Sequence, residues 1–156
     1  MTDIRIRVDE DDADRELRLV AAGLGDLRSF WPMLVPVVTG WWRRQFETEG
    51  AFAGSPWARL SPGYAIQKAA RAPGKPILQL TGRMKQEVSR PQRRQSPTAL
   101  TLTIDDPKLQ HHQEGGGRLP KREVIFGDPL PPMAALQLDQ VSEEYVRDLL
   151  ARARRR

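Results

Sequence analysis

Three large aromatics, Trp41, Trp42 and Phe46, fall within six residues and run at once into a stretch that no regular element can cross. That stretch, residues 50–62, is rich in Gly, Ser and Pro, which set turn conformations or withhold a backbone donor. So much aromatic surface is heavy for a lone helix end. Trp57 and Leu60, inside the break, are the residues placed to anchor a long loop inward over it. Trp41 and Phe46 read as core and Trp42 as either core or interface, with at least two of the three inside.

The flanking sequence fills in the elements. Ser29 is a candidate cap for a helix running to about Glu49, with Pro32 in its first turn, and Pro36 predicts either a bend or a helix that starts later. Upstream, Ile4, Ile6 and Val8 alternate with charged residues as in a half-buried strand. Asp11 or Asp12 can then cap a helix with an apolar stripe at Ala13, Leu17, Val20, Ala21 and Leu24, ending near Gly25. Downstream, Ser61-Pro62 reads as a cap and first-turn proline for a short helix through Arg71, with Tyr64 and Lys68 one turn apart. Thr81 can cap another through Met84 and Val88, and residues 91–97 read as a polar surface turn.

Leu100, Leu102 and Ile104 alternate with polar residues, the strongest strand signal in the chain. Residues 110–120 read as a long mobile loop, and Val124 to Phe126 as a short strand or buried turn. A last helix spans about Ala134 to Arg152, with Leu138, Val141, Tyr145 and Leu149 on one face and a basic tail at 152–156. The expected fold is α+β: two or three long helices packed on a small antiparallel sheet, with long loops, in a single domain over residues 1–156.

A chain of 156 residues can build one substantial core, and 39% hydrophobic content is lean for a monomer. The absence of cysteine excludes disulfides and thiolate metal sites. The first residues are acidic and lack the pattern of a signal peptide, and no stretch is long and apolar enough to cross a bilayer, so no membrane partner is expected. The net charge of +5 is polarised: residues 1–16 are acidic, whereas Arg83 to Arg94 and the C-terminal arginines are basic. Opposite signs at opposite ends suit head-to-tail or ring contacts between copies, and equally a solvated face with a frayed tail. For nucleic-acid binding, the basic runs lack interleaved aromatics and a reading helix.

Catalytic patterns are not apparent. His111 and His112 are adjacent, a poor arrangement for one metal ion, and neither a metal nor a cofactor is expected. Gly115-Gly116-Gly117 lacks the Lys-Ser/Thr of a phosphate-binding loop. Glu47 and Glu49 face different ways, and Ser55, Ser61 and Ser96 have no His/Asp partners in pattern, so no enzyme is expected.

Phe46 with Glu49-Gly50, the Gly54-x-x-Trp57-Ala58-x-Leu60-Ser61-Pro62 segment, Tyr64 and Lys68 follow one another in order. Ile77-Leu78-x-Leu80-Thr81-Gly82-Arg83-Met84, the strand at Leu100 to Ile104, His112-Gln113-x-Gly115-Gly116 and Leu119-Pro120-Lys121-Arg122 complete the series before the last helix. In this order and spacing the chain resembles the tail-completion, or virion-morphogenesis, proteins of long-tailed bacteriophages. The family commonly carries an arginine-proline-phenylalanine segment after the glycine loop, where this chain reads Arg122-Glu123-Val124-Ile125-Phe126.

The resemblance implies a structural protein of the virion neck, assembled in the host cytoplasm, that completes the tail and joins it to the head. It implies a ring of copies, six in number under the symmetry usual in phage tails, meeting the tail tube or tail terminator and a head-completion or connector protein. Non-specific contact with genome DNA in the channel is a further implication, and a nucleic-acid-binding accessory protein is the alternative. Trp42, Trp57, Leu60, Gly82, Arg83, His112, Gly115, Gly116 and Arg122 are the structural and interface candidates.

Overall fold

The computed structural model describes residues 10–155, with side chains from residue 14 onward. The strand expected at Ile4, Ile6 and Val8 lies outside the described residues. The helices are α1 (Glu10–Gly25), α2 (Trp31–Glu47), α3 (Pro62–Arg71), α4 (Arg83–Ser89), α5 (Pro107–Glu114) and α6 (Pro132–Arg154). Two strands, β1 (Gln92–Gln95) and β2 (Leu100–Thr103), pair antiparallel, and single 3-10 turns cover Leu27–Ser29 and Ala51–Ala53.

This corrects the expected architecture of two or three long helices on a sheet. Among the described residues there are six helices, one long (α6, 23 residues) and several short, beside a two-stranded ribbon. The helices pack chiefly on each other, α1 on α6 and α2 on α4 and α6. A ribbon of four-residue strands is too small to cover helix faces.

β2 follows the sequence reading, with Leu100 and Leu102 half-buried and Thr101 and Thr103 exposed. Residues 92–95 form a strand and not a turn, because β2 offers a partner whose register sets Arg93 opposite Leu102 and Arg94 opposite Thr101. All four β1 residues are exposed, as suits a polar edge. The turn between the strands is closed by Ser96, whose amide donates to the Ala99 carbonyl at 2.8 Å.

Among the described residues two apolar clusters form the interior. Trp42, Phe46, Trp57, Ile77, Met84, Val88, Leu109 and Val124 make the first. Phe30, Trp31, Val141 and Tyr145 make the second, where α2 meets α6. Ser29 does not cap α2: its hydroxyl lies 3.0 Å from that of Tyr145, which in turn donates to the Gly23 carbonyl at 2.9 Å. Pro36 is carried inside α2 without ending it. The stripe expected to bury α1 is only partly used, since Leu17 and Leu24 remain 66% and 48% exposed. Contact with α6 is made instead through Gly23, where an added Cβ would lie 2.6 Å from Leu149 Cδ2. The tail is not frayed: α6 continues to Arg154, Ala153 is buried, and Arg154 approaches Glu16 at 3.8 Å.

Candidate functional site: a cationic cavity on a tied loop framework

The long loop after α2 is fixed by contacts that begin at Glu49. Glu49 adopts a left-handed φ of 49° and Leu78 one of 60°, conformations that side chains other than Gly rarely take. The Glu49 carboxylate accepts from the Ile77 amide at 2.6 Å, so the two unusual backbones are tied together. Gly50 follows at φ 93°, and a Cβ there would lie 2.5 Å from Trp57 Cδ1, so the indole packs where only glycine leaves room. Trp57 is buried, meets Phe46 edge-on at 5.6 Å, and donates from its indole nitrogen to the Glu123 carbonyl at 2.9 Å. Gln45, also buried, donates to the same carbonyl at 2.9 Å and accepts from the Ala53 amide at 3.0 Å.

Residues 120–125 are held in the same manner. Arg122 is 4% exposed and donates to the Ala58 carbonyl from Nε at 3.1 Å and Nη2 at 2.9 Å, and to the Arg59 carbonyl at 3.3 Å. Gln113 accepts from the Val124 and Ile125 amides, each at 3.0 Å, and donates to the Ile125 carbonyl. Residues 124–126 are therefore not a strand: Val124 and Ile125 form a bend paired by a side chain, with Val124 buried and Ile125 and Phe126 half-buried. Lys68, 5% exposed, donates to the carbonyls of Lys75 (2.8 Å) and Pro76, and Gln79 donates to the Phe46 carbonyl at 3.0 Å.

The stretch 110–120, expected as a mobile loop, is built differently. Its first residues belong to α5, capped by Asp106, whose carboxylate accepts from the amides of Lys108 (2.8 Å) and Leu109 (3.2 Å). Pro107 at the first position and this cap start a helix that the histidines and the glycine run obscure. Gly115 ends it at φ 68°, its amide donating to the His111 carbonyl at 2.9 Å, and the Gly116 and Leu119 amides and carbonyls exchange bonds of 2.9 Å. A Cβ on Gly115 would lie 2.8 Å from the Lys121 amide nitrogen.

Above this framework is a cavity of about 980 Å³, bounded by α3, α4, the start of α5 and the 117–120 turn. Its apolar lining includes Leu60, Leu78, Leu80, Met84 and Leu119. Arg59, Lys68, Arg83, Lys108, Arg118 and Arg122 surround that lining with cations, and among the described residues Asp106 is the single carboxylate that lines it. His112 also lines it, and its Nδ1 is buried without a hydrogen-bond partner. Burial, reinforced by the charges of Arg122 and His111, holds the His112 imidazole below its ordinary pKa, against an opposing pull from Asp106. Burial likewise lowers Lys68, opposed by Glu49, and lowers Arg122, opposed by Tyr64.

Of the candidates read from sequence, Leu60, Arg83, His112 and Arg122 come together around this cavity. Trp57 belongs to the core and to the loop framework, and Trp42 belongs to the core, which decides between its two readings. Gly82, at φ 80°, precedes α4 as its cap, and Arg83 is exposed beside Glu87 at 3.5 Å. Gly115 and Gly116 shape the turn below the rim. Glu49 and Gln113 stand in the sequence pattern without being read as site candidates, and Gln79 belongs to neither the pattern nor the candidates; a polar residue beside buried apolar neighbours is their one shared signal. Among the described residues no group of three or more His, Asp or Glu is placed to hold a metal ion, and no helix is long and apolar enough to cross a membrane. Comparison with protein-family models, curated proteins and solved structures finds no match to this chain.

Proposed function

We propose that this chain is a structural protein of phage assembly that completes the tail and joins it to the head at the neck. It acts as a ring of copies between the tail tube or its terminator and a head-completion protein. The feature that carries this proposal is the use made of the residues behind the family resemblance. Glu49, Trp57, Lys68 and Arg122 each bind backbone groups of another segment, so the motif residues build a scaffold with a defined outer surface. Elsewhere on the protomer apolar side chains stay in water: Leu17 and Leu24 on α1, with Val146 and Leu150 on α6, are exposed enough to be covered by a partner.

The test is light scattering over a concentration series with electron microscopy, with and without purified tail tubes. Rings that form alone or on tube ends are the expected result. A monomer indifferent to tubes at every concentration overturns the proposal.

A nucleic-acid-binding role is the second reading, favoured by β1, where Arg93 and Arg94 are exposed close to Arg90. Affinity for short duplex DNA that falls steeply and linearly with the logarithm of salt concentration, and is lost on Arg93→Glu with Arg94→Glu, is the result it requires.

A further inference from the structure

We propose that the cationic cavity is the socket for the N-terminal segment of a second copy of this chain, residues 3–9 together with the acidic first turn of α1; the inference rests on the ring assembly proposed above. The cavity has two properties that a single occupant must satisfy. Its lining is apolar, with Leu60, Leu78, Leu80 and Met84 turned to it, and among the described residues its charges are six cations against one carboxylate. A nucleic-acid backbone matches the charge and has no use for a concave apolar lining. An extended peptide with apolar side chains on one face and carboxylates at its ends matches both.

The chain contains such a segment. In Asp3-Ile4-Arg5-Ile6-Arg7-Val8-Asp9 the apolar residues occupy alternate positions, and Glu10, Asp11 and Asp12 follow directly. Extended, it presents Ile4, Ile6 and Val8 to the lining and turns Arg5 and Arg7 away from it. Asp3 at one end and the acidic run from Asp9 at the other then meet the rim, where Arg83 and Arg118 are exposed.

The placement of the two partners favours a contact between copies. Among the described residues the cavity is lined by 59–84 and 106–122, with none from α1 or α6. The segment leads into α1, which packs on α6. The cavity and the helix that the segment enters thus belong to different parts of the protomer, an arrangement that suits a head-to-tail interface able to close into a ring.

The experiment is fluorescence anisotropy of a labelled peptide of residues 1–12 titrated with the full-length protein at moderate salt. Saturable binding is expected. It should weaken on the order of ten-fold or more when Arg83→Glu and Arg118→Glu are combined, and persist in the Arg93→Glu, Arg94→Glu control on β1. Both cavity substitutions sit at exposed side chains, and circular dichroism verifies that the fold is kept. A peptide with Asp9, Asp11 and Asp12 replaced by Asn and Glu10 by Gln should bind as weakly as the reversed cavity does. No saturable binding, binding indifferent to the cavity charges, or duplex DNA binding that the cavity variant abolishes while the peptide fails to bind would each overturn the proposal. Capping of tail tubes without peptide binding separates the two ideas, leaving the neck role and removing the socket. Peptide binding without tube capping does the reverse.

Discussion

The Glu49 carboxylate accepts a 2.6 Å hydrogen bond from the Ile77 amide, joining two segments whose neighbouring backbones, at Glu49 itself and at Leu78, both lie in the left-handed region. Left-handed conformations at such residues cost on the order of 1–3 kcal/mol each and persist only where surrounding structure enforces them. Here the bond is part of that enforcement, and Leu78 lines the cavity it supports. Glu49→Ala should therefore destabilise the protein by about 1–3 kcal/mol, since it leaves the amide of a buried residue unpaired. Glu49→Gln keeps an acceptor and should cost clearly less. Urea denaturation of the two variants measures the difference, and equal losses would mean that charge, not the acceptor, matters at this position.

Arg122 ties residues 58–59 to the segment after the glycine turn through three donated bonds. A lysine keeps the charge but cannot reproduce the planar fork that serves Ala58 from two nitrogens. Arg122→Lys and Arg122→Met should then behave alike, each losing about 1.5–3 kcal/mol in the midpoint analysis of chemical unfolding. A fully stable Arg122→Lys protein would show that the fork is dispensable.

Gly115 offers a sharper contrast with its neighbours. Its φ is 68° and a side chain would press on the backbone of Lys121, whereas a Cβ on Gly116 or Gly117 meets nothing within 4 Å. Gly115→Ala should cost on the order of 1–3 kcal/mol from backbone strain, with the contact to Lys121 adding to it. Gly117→Ala carries the strain of φ 56° alone and should be the milder change. Thermal unfolding of the pair distinguishes them. A mobile loop at 110–120, the form read from the sequence, would tolerate deletion of residues 115–117 without loss of the fold. The α5 cap and the bond from the Arg122 amide to the His112 carbonyl, 2.7 Å, make the deletion destabilising instead.

What could be read in advance divides by the kind of force involved. Apolar spacing and turn chemistry located α2, α3, α4, β2 and α6 within a few residues, because burial and proline or glycine act locally. The α5 helix was hidden because its apolar content is slight; Asp106 and Pro107 hold its start, while Leu109 alone is buried. The α1 stripe was legible but misassigned: Leu17 and Leu24 fit a core-facing pattern, and nothing local says that Gly23 makes the contact to α6. The cavity was harder still. Its charges come from four separate stretches of chain, and only the fold brings Arg59, Arg83, Arg118 and Arg122 to one place.

His112 gives that placement a pH signature. In the unfolded chain its pKa is near the ordinary value of about 6.5, and in the fold burial, Arg122 and His111 hold it lower. Between the two values the unfolded chain binds a proton that the folded chain does not, so stability falls as pH drops below about 6.5 and continues to fall until the folded form also titrates. Above that pH both forms are neutral and the group contributes no slope. His112→Leu removes the titration and the unpartnered Nδ1 together, so the variant should lose less stability than the parent between neutral pH and pH 5. Denaturant midpoints across that range test this, together with a proton-resonance titration of His112, which should move at lower pH than a free histidine. Parallel pH profiles for parent and variant would mean that His112 gains solvation or a counter-charge in solution, and the cavity would then be less cationic than its lining implies.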